Sequence, residues 1–405
     1  MEKVRLAIVG LGQRGHGFIR TINACEEAEI TAVCDVYEDR VQRSIERVKE
    51  LSGKTPAGYT DYKELLKDDS VDAVFVCTAW EAHVQIAVDS MKAGKITAME
   101  VGGAYSVEDC WRLVHTYEET KTPFMFMENC CYDKFELLST SLVRAGKLGE
   151  IVHCHGAYSH DLRDEILGGN VNRHYRLRNY LTRNCENYPT HELGPIARLL
   201  NINRGNKMVS LVSMSSKSAG LEAFAKTEKN PDPATEGLRF SQGDIVTTII
   251  KCANGETITL TLDTTLPKYY SREFTVRGTK GLTNQEANMI SIEGDTNTHQ
   301  YAENCNNAGK YNDYLPDIWR NISTDTLALG HGGMDYIEFK YFFKAILEGT
   351  EMPIDVYDAA SWMCITALSE NSIAIGGMPQ SIPDFTNGAW AMRKPQDVVD
   401  FPEVK

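Results

Sequence analysis

Tyr158-Ser159-His160-Asp161, Arg176, Tyr188-Pro189-Thr190-His191 and His331-Gly332-Gly333-Met334-Asp335 hold side chains able to move a proton or grip a substrate oxygen. Tyrosine and histidine transfer protons near neutral pH, and the arginine fork suits oxygen atoms. Taken singly, Tyr158 and His331 read as packing residues. His191 stands apart, because Pro189 and the pair Gly194-Pro195 restrict the backbone on both sides of it. Two further clusters carry less. His153 and His155 share one face of an expected strand, but no carboxylate or cysteine at metal-site spacing completes a set. They read as solvent-facing histidines, and no metal is expected. Cys130-Cys131 has no sequence-local base, so both thiols read as buried and neutral.

These residues need a scaffold, and the N-terminus supplies its clearest sign. The apolar run Leu6 to Val9 reads as a buried parallel strand that ends in Gly10-x-Gly12-x-x-Gly15, where a helix begins. In a dinucleotide-binding loop the first glycine permits the tight turn and the second admits a pyrophosphate. The third lets the helix pack on the strand. The phosphates then meet free N–H groups at the positive end of that helix. A second apolar strand, Ile30 to Cys34, ends in Asp35, about twenty residues on, placed to bond an adenosine ribose. A carboxylate there repels a 2′-phosphate, and no arginine follows until Arg40, so NAD is expected rather than NADP.

The first third continues to alternate strand and helix. Helices are expected from about Glu38 to Leu51, from Asp61 through Leu66, from Glu81 to Ala93, and from Ser106-x-x-Asp109 to Thr120. Strands are expected at Val71–Thr78, Ile96–Glu100 and Pro123–Glu128, five in all, forming a doubly wound parallel sheet. After a helix from Lys134 to Ala145, the pattern changes. Gly149–Ser159 reads as a strand, and Asp244–Cys252 and Glu256–Thr264 flank Ala253-Asn254-Gly255 as a hairpin. Glu273–Arg277 adds another strand. The polar stretches Lys226–Gln242 and Asn284–Thr324 show no period and read as loops. Helices return at Asp335–Leu347 and Tyr357–Ile375. The expected architecture is an α/β Rossmann domain over residues 1–127, then an α+β substrate domain with a mostly antiparallel sheet over 128–405, its tail packing back on the first domain.

Composition narrows the function. With 405 residues and a net charge of −14, the chain has no electrostatic footprint for nucleic acid or an anionic membrane. No apolar stretch reaches spanning length. Met1 leads almost directly into the first strand, and eleven scattered cysteines lack any Cys-x-x-Cys, which suits reduced thiols and a cytoplasmic location.

Cys77-Thr78, His83 and Glu100 at a strand end are similar to the cofactor pattern of the glucose–fructose oxidoreductase and inositol dehydrogenase superfamily. The rest of the chain resembles family 109 glycoside hydrolases, the NAD-dependent α-N-acetylgalactosaminidases. The shared stretches are Glu128-Asn129 with Tyr132, Tyr158-x-His160-Asp161-Leu162-Arg163, Tyr188-Pro189-Thr190-His191, Asn201-Ile202-Asn203-Arg204-Gly205, Gln242-Gly243-Asp244-Ile245-Val246-Thr247-Thr248, His331-Gly332-Gly333-Met334-Asp335 and Ile382-Pro383-Asp384-Phe385-Thr386-Asn387-Gly388. The superfamily's dehydrogenases place a proton-accepting lysine after the strand-end glutamate. Here that place is Val101, as family 109 also lacks the lysine. The family commonly has glycine where Glu192 follows His191.

The resemblance implies a redox-neutral glycosidase using bound NAD, with His191 and Tyr158 moving protons and Arg176, Tyr188 and Tyr270 around the sugar; Tyr269 stands next to Tyr270. It implies cofactor contacts at Gly10, Gly12, Gln13, Arg14, Gly15, Asp35, Thr78, Trp80, His83, Glu100, Glu128 and Asn129. The expected partners are a small-molecule glycoside or glycan terminus and further copies of the chain in a homo-oligomer. A sugar dehydrogenase using His191 as base, and a non-catalytic NAD-binding sensor, remain as alternatives.

Overall fold

The computed structural model of the protein describes residues 2–403. Its first sheet contains β1 (Val4–Val9), β2 (Ala28–Cys34), β3 (Ala57–Tyr59), β4 (Ala73–Val76), β5 (Ile96–Glu100) and β6 (Phe124–Met127). All pair in parallel in the order β3-β2-β1-β4-β5-β6. Parallel strands covered on both faces must be apolar throughout; Leu6, Ala7 and Ile8 of β1 and all of β4 are fully buried. Ser106 caps the helix Val107–Thr120 by accepting the Asp109 N–H.

The second sheet contains β7 (Ile151–Ser159), β8 (Met208–Ser215), β9 (Ile245–Cys252), β10 (Thr257–Asp263), β11 (Thr275–Gly278), β12 (Gly281–Asn284), β13 (Met289–Ile292) and β14 (Gln380–Ser381). Their order is β13-β12-β11-β7-β10-β9-β8-β14. The β9–β10 hairpin forms as expected, turning at Gly255 with φ +110°. Every pairing is antiparallel except β7 with β10.

Two expectations fail. The first sheet has six strands, not five. β3 is a three-residue edge strand without alternation, and its Gly58 sits where any side chain would press on Val41 and Ile45. The stretch Asn284–Thr324 is not featureless either. It carries β13 and several four-residue helical turns, too short to show a period.

The two sheets share one core. The helix Met334–Glu348 returns to the first sheet, where Phe339 meets Phe18 and Phe75 edge-on, with centroids 5.1 and 5.2 Å away. The helix Val356–Ala374 lies against both β8 and the helix Val107–Thr120. Its start is fixed by a capping box between Asp355 and Asp358. The same carboxylates tie in two buried arginines: Asp358 lies 3.0 Å from Arg198 and 2.7 Å from Arg204, and Asp355 lies 2.9 Å from Arg204. Burial pushes the Asp358 carboxyl up, but the two guanidinium groups outweigh it and hold it below its usual range. A depressed carboxyl stabilises the fold above the ordinary carboxylate range and loses that contribution as pH falls through its folded value. Asp358→Ala takes the carboxylate from buried Arg198 and leaves Arg204 with Asp355 alone, so it is expected to lower unfolding stability by about 3–5 kcal/mol at neutral pH. Denaturant titration should show this gap narrowing as the medium becomes strongly acidic.

Candidate active site

β1 delivers the chain to Gly10, whose φ of +98° and contact with the Cys77 carbonyl exclude any side chain. A Cβ on Gly15 would likewise overlap the Gly10 carbonyl oxygen. Gly12 is different. Its φ is −64°, and a Cβ there would meet only Arg40 Nη1, at 3.8 Å. The protein's own packing demands Gly10 and Gly15 but not Gly12, which leaves an open cradle at the uncapped start of the helix Gln13–Asn23. That is the shape and polarity a pyrophosphate needs, and these residues fit a dinucleotide.

Asp35 is buried at the end of β2, where its carboxylate accepts the Leu11 N–H at 2.7 Å and the Tyr37 N–H at 3.0 Å. Arg40 is not remote from it, contrary to its sequence distance. The start of the helix Glu38–Ser52 folds back and brings Nη1 to 3.6 Å from Asp35. Arg40 also donates to the Asn172 carbonyl at 3.1 Å, and Arg173 pairs with Asp39 at 2.7 Å. A segment beyond the first sheet thus latches onto the end of β2.

Arg14 leaves the glycine loop toward the second domain, 2.8 Å from Glu100 and 2.9 Å from Asp335. His331 Nδ1 lies 3.0 Å from Asp335, and the Asn129 amide donates to Asp335 at 2.6 Å. Burial pushes the Asp335 carboxyl up, but Arg14 and His331 overcome it and hold it well below the usual range. His331 is therefore no packing residue; it closes a polar bridge across the cleft. His83 is buried with Nε2 2.9 Å from the Thr78 carbonyl. Burial lowers its imidazole to about 4, so it is neutral and braces the Thr78 turn.

Beside this bridge the expected sugar residues converge. Ring centroids lie 4.7 Å apart for Tyr158 and Tyr188, 4.7 Å for Tyr188 and His191, and 5.4 Å for Tyr158 and His191. Trp80 stacks on Tyr188 at 5.4 Å, and the Arg176 guanidinium lies 5.1 Å from both those rings. Tyr270 stands 6.4 Å from Tyr158 and takes a hydrogen bond from Arg272 at 2.9 Å. Its neighbour Tyr269 turns outward and bonds Glu286.

At the centre, His191 Nδ1 lies 2.8 Å from Oε1 of Glu128, which has no exposure. Burial raises the Glu128 carboxyl, but His191 and its other hydrogen bonds bring it below its usual value, so it is a carboxylate. An anion at Nδ1 keeps the proton on that nitrogen and leaves Nε2 as the basic one. Gly194 makes the contact feasible: a Cβ there would fall 2.8 Å from Glu128 Cγ. Glu192 does not face this group. It packs behind His191 against Gly156 and beside Glu186, and burial raises both carboxyls, that of Glu186 to about 8.

Sequence reasoning missed Glu165 and Tyr175. Glu165 Oε1 lies 2.7 Å from Arg176 Nε, and Tyr175 packs on Trp80 at 4.7 Å. Tyr175 directly precedes Arg176, a signal that was legible; nothing local marked Glu165.

Residues 4–127 match the profile "Oxidoreductase family, NAD-binding Rossmann fold", and residues 132–392 match "Glycosyl hydrolase 109, C-terminal domain". Solved structures share the whole architecture. Levoglucosan dehydrogenase, in complex with NADH and levoglucosan, superposes with a TM-score of 0.70 at 17% identity, over 94% of this chain and 100% of its own. Myo-inositol dehydrogenase from Lactobacillus casei, with NAD(H) and myo-inositol, gives 0.65 at 16%, over 95% and 99%. Fold and glycine loop thus define an NAD-binding, oxidoreductase-like enzyme. The sequence is more specific. The chain is 35% identical to an α-N-acetylgalactosaminidase of Tannerella forsythia over 97% of its length and 88% of the relative's. It is 36% identical to one of Shewanella oneidensis over 98% and 88%. The chain belongs to glycosyl hydrolase family 109, and it is an NAD-dependent glycosidase.

The two kinds of glycine predict different outcomes. Gly12→Ala should fold normally yet bind NAD at least roughly tenfold more weakly, a loss of about 1.4 kcal/mol. Gly15→Ala should lower the melting temperature even without cofactor. Thermal melts with and without NAD, together with an NAD titration, separate the two.

Proposed function

We propose that the protein is an α-N-acetylgalactosaminidase whose sugar is held among Tyr158, Tyr188, Tyr270 and Arg176, with His191 and Tyr158 moving the protons; Trp80, expected at the cofactor, backs Tyr188. The observation that carries this reading is the buried Glu128–His191 pair set edge-on among those rings. Val101, directly after Glu100, is buried and offers no proton carrier. Val101 therefore argues against the lysine-based alcohol oxidation suggested by the fold alone.

When bound, NAD supplies reversible removal of hydride from C3 of the sugar. Once C3 is at the ketone level, the C2–H bond lies next to a carbonyl and is acidic enough for a side-chain base. Nε2 of His191 takes that proton while Glu128 steadies the resulting imidazolium. The C1–O bond then breaks. Burial pushes the Tyr158 hydroxyl up to about 12 against the opposing pull of Arg176, so at neutral pH it is protonated. It hands its proton to the departing aglycone oxygen. Water adds at C1, returning a proton to Tyr158, and His191, its Nε2 proton exchanged with solvent in the meantime, delivers a proton to C2. Arg176 has a buried Nη1 without a partner, available to a sugar oxygen. Gln13, Arg14 and Asn129 line the cofactor side in this reading, and Thr78, His83 and Glu100 shape it.

His191→Ala is expected to lower turnover roughly 10²–10⁴-fold while NAD binding is retained. Turnover of nitrophenyl α-N-acetylgalactosaminide, set beside an NAD titration, checks both halves. Product made in deuterium oxide should carry deuterium at C2, with no NADH accumulating beyond the enzyme concentration. Full-speed hydrolysis by protein stripped of NAD would refute the cycle. NADH forming in step with substrate loss would refute it in favour of a dehydrogenase.

A further inference from the structure

Cys130 has no base beside it in the sequence, but the fold gives it different neighbours. Glu128 and Cys130 sit on the turn after β6, and the helix Thr190–Leu199 lays His191 against them. A carboxylate oxygen of Glu128, the Cys130 sulfur and an imidazole nitrogen of His191 all lie within 4.8 Å of one another, and all three residues are buried. Nδ1 already faces the carboxylate at 2.8 Å, and the Cys130 N–H donates to the same carboxylate oxygen at 3.1 Å. The second oxygen, Oε2, is buried without a partner. The Cys130 thiol donates to Asn129 Oδ1 at 3.5 Å.

We propose that Glu128, Cys130 and His191 form a binding site for a thiophilic divalent cation of the zinc type, and that occupation of this site blocks turnover. The donor set selects the ion class. One thiolate, one imidazole and one carboxylate oxygen suit zinc, cobalt or cadmium, whereas magnesium and calcium need oxygen donors throughout. Three protein ligands leave the fourth position of a tetrahedral ion to water or a sugar hydroxyl. Binding releases the thiol proton and moves the proton held at Nδ1 of His191 to Nε2, so it weakens as pH falls. The block follows from His191 chemistry: with Nδ1 on the ion, Nε2 is left protonated and has no lone pair for the C2 proton. That consequence rests on the proposed role of His191; the binding site itself does not.

The test uses the NAD-loaded enzyme in buffer free of thiols and chelators. Micromolar Zn²⁺ is expected to inhibit nitrophenyl α-N-acetylgalactosaminide hydrolysis, with EDTA restoring it. Cys130→Ser should leave turnover in EDTA near native and raise the half-inhibiting Zn²⁺ concentration by roughly tenfold or more. Co²⁺ titration, which needs no substrate, should give tetrahedral d–d bands and a sulfur-to-cobalt charge-transfer band that Cys130→Ser removes. Cys305 is the one thiol among the described residues that is not buried, so Cys305→Ser serves as the control and should change neither readout. Zn²⁺ sensitivity unchanged in Cys130→Ser, or cobalt binding without the sulfur band, overturns the site. Sensitivity lost in Cys305→Ser overturns it as well. A normal cobalt spectrum without inhibition keeps the site and overturns only the blocking role, pointing back to His191.

Discussion

A carboxylate cannot be buried without a partner, and the site is organised by that constraint acting on Glu128. Stripped of water, its charge costs several kcal/mol unless hydrogen bonds replace the solvent. His191 is the replacement, and it comes from the helix Thr190–Leu199, which lies against β7. The demand for a partner therefore does more than orient one imidazole: it fixes how closely the helix Thr190–Leu199 approaches the end of the first sheet. Gly194 is the steric allowance for that approach. Tyr188, on the segment entering the same helix, is carried into contact with Trp80 by the same docking.

Arg14 repeats this logic at the cofactor side. A residue of the glycine loop is neutralised by Glu100 from the first sheet and Asp335 from a returning helix. Both contacts tie an end of the first sheet to a helix further along the chain, Glu128 to Thr190–Leu199 and Arg14 to Met334–Glu348. Arg176 is the exception. It sits among aromatic faces with a single carboxylate, Glu165, beside it, which leaves donor capacity for a neutral, hydroxyl-rich ligand.

The features readable from sequence were those with local causes. The glycine loop, Asp35 at the end of β2, the Asn254-Gly255 hairpin and the Ser106 cap each depend on residues a few positions apart, and each stands where it was expected. β3 and β13 were missed because three- and four-residue strands carry no measurable alternation, and edge pairing alone creates them. Arg40 was misjudged because a helix start can return a side chain to a strand end five residues back. Cys130 was named only to be set aside, because His191 lies far along the chain, and Glu165 passed unmarked because nothing beside it signals the fold-back onto Arg176. Residue chemistry picked out Tyr158, Arg176 and His191 as candidates, and family resemblance gave them roles together; the structure shows that they converge.

The latch at the end of β2 has a bearing on timing. A ribose seated on Asp35 would lie next to Arg40, which the Asn172 carbonyl and the Arg173–Asp39 pair help tie down, so departure of a dinucleotide is expected to wait on the opening of these contacts. In a dehydrogenase that wait would recur with every catalytic event, because spent cofactor has to be exchanged for fresh. In a cycle that hands each hydride back, the wait falls once in the lifetime of the holoenzyme. Slow exchange then becomes an asset, because a long residence time keeps the nucleotide in place through many glycosides even where free cofactor is scarce.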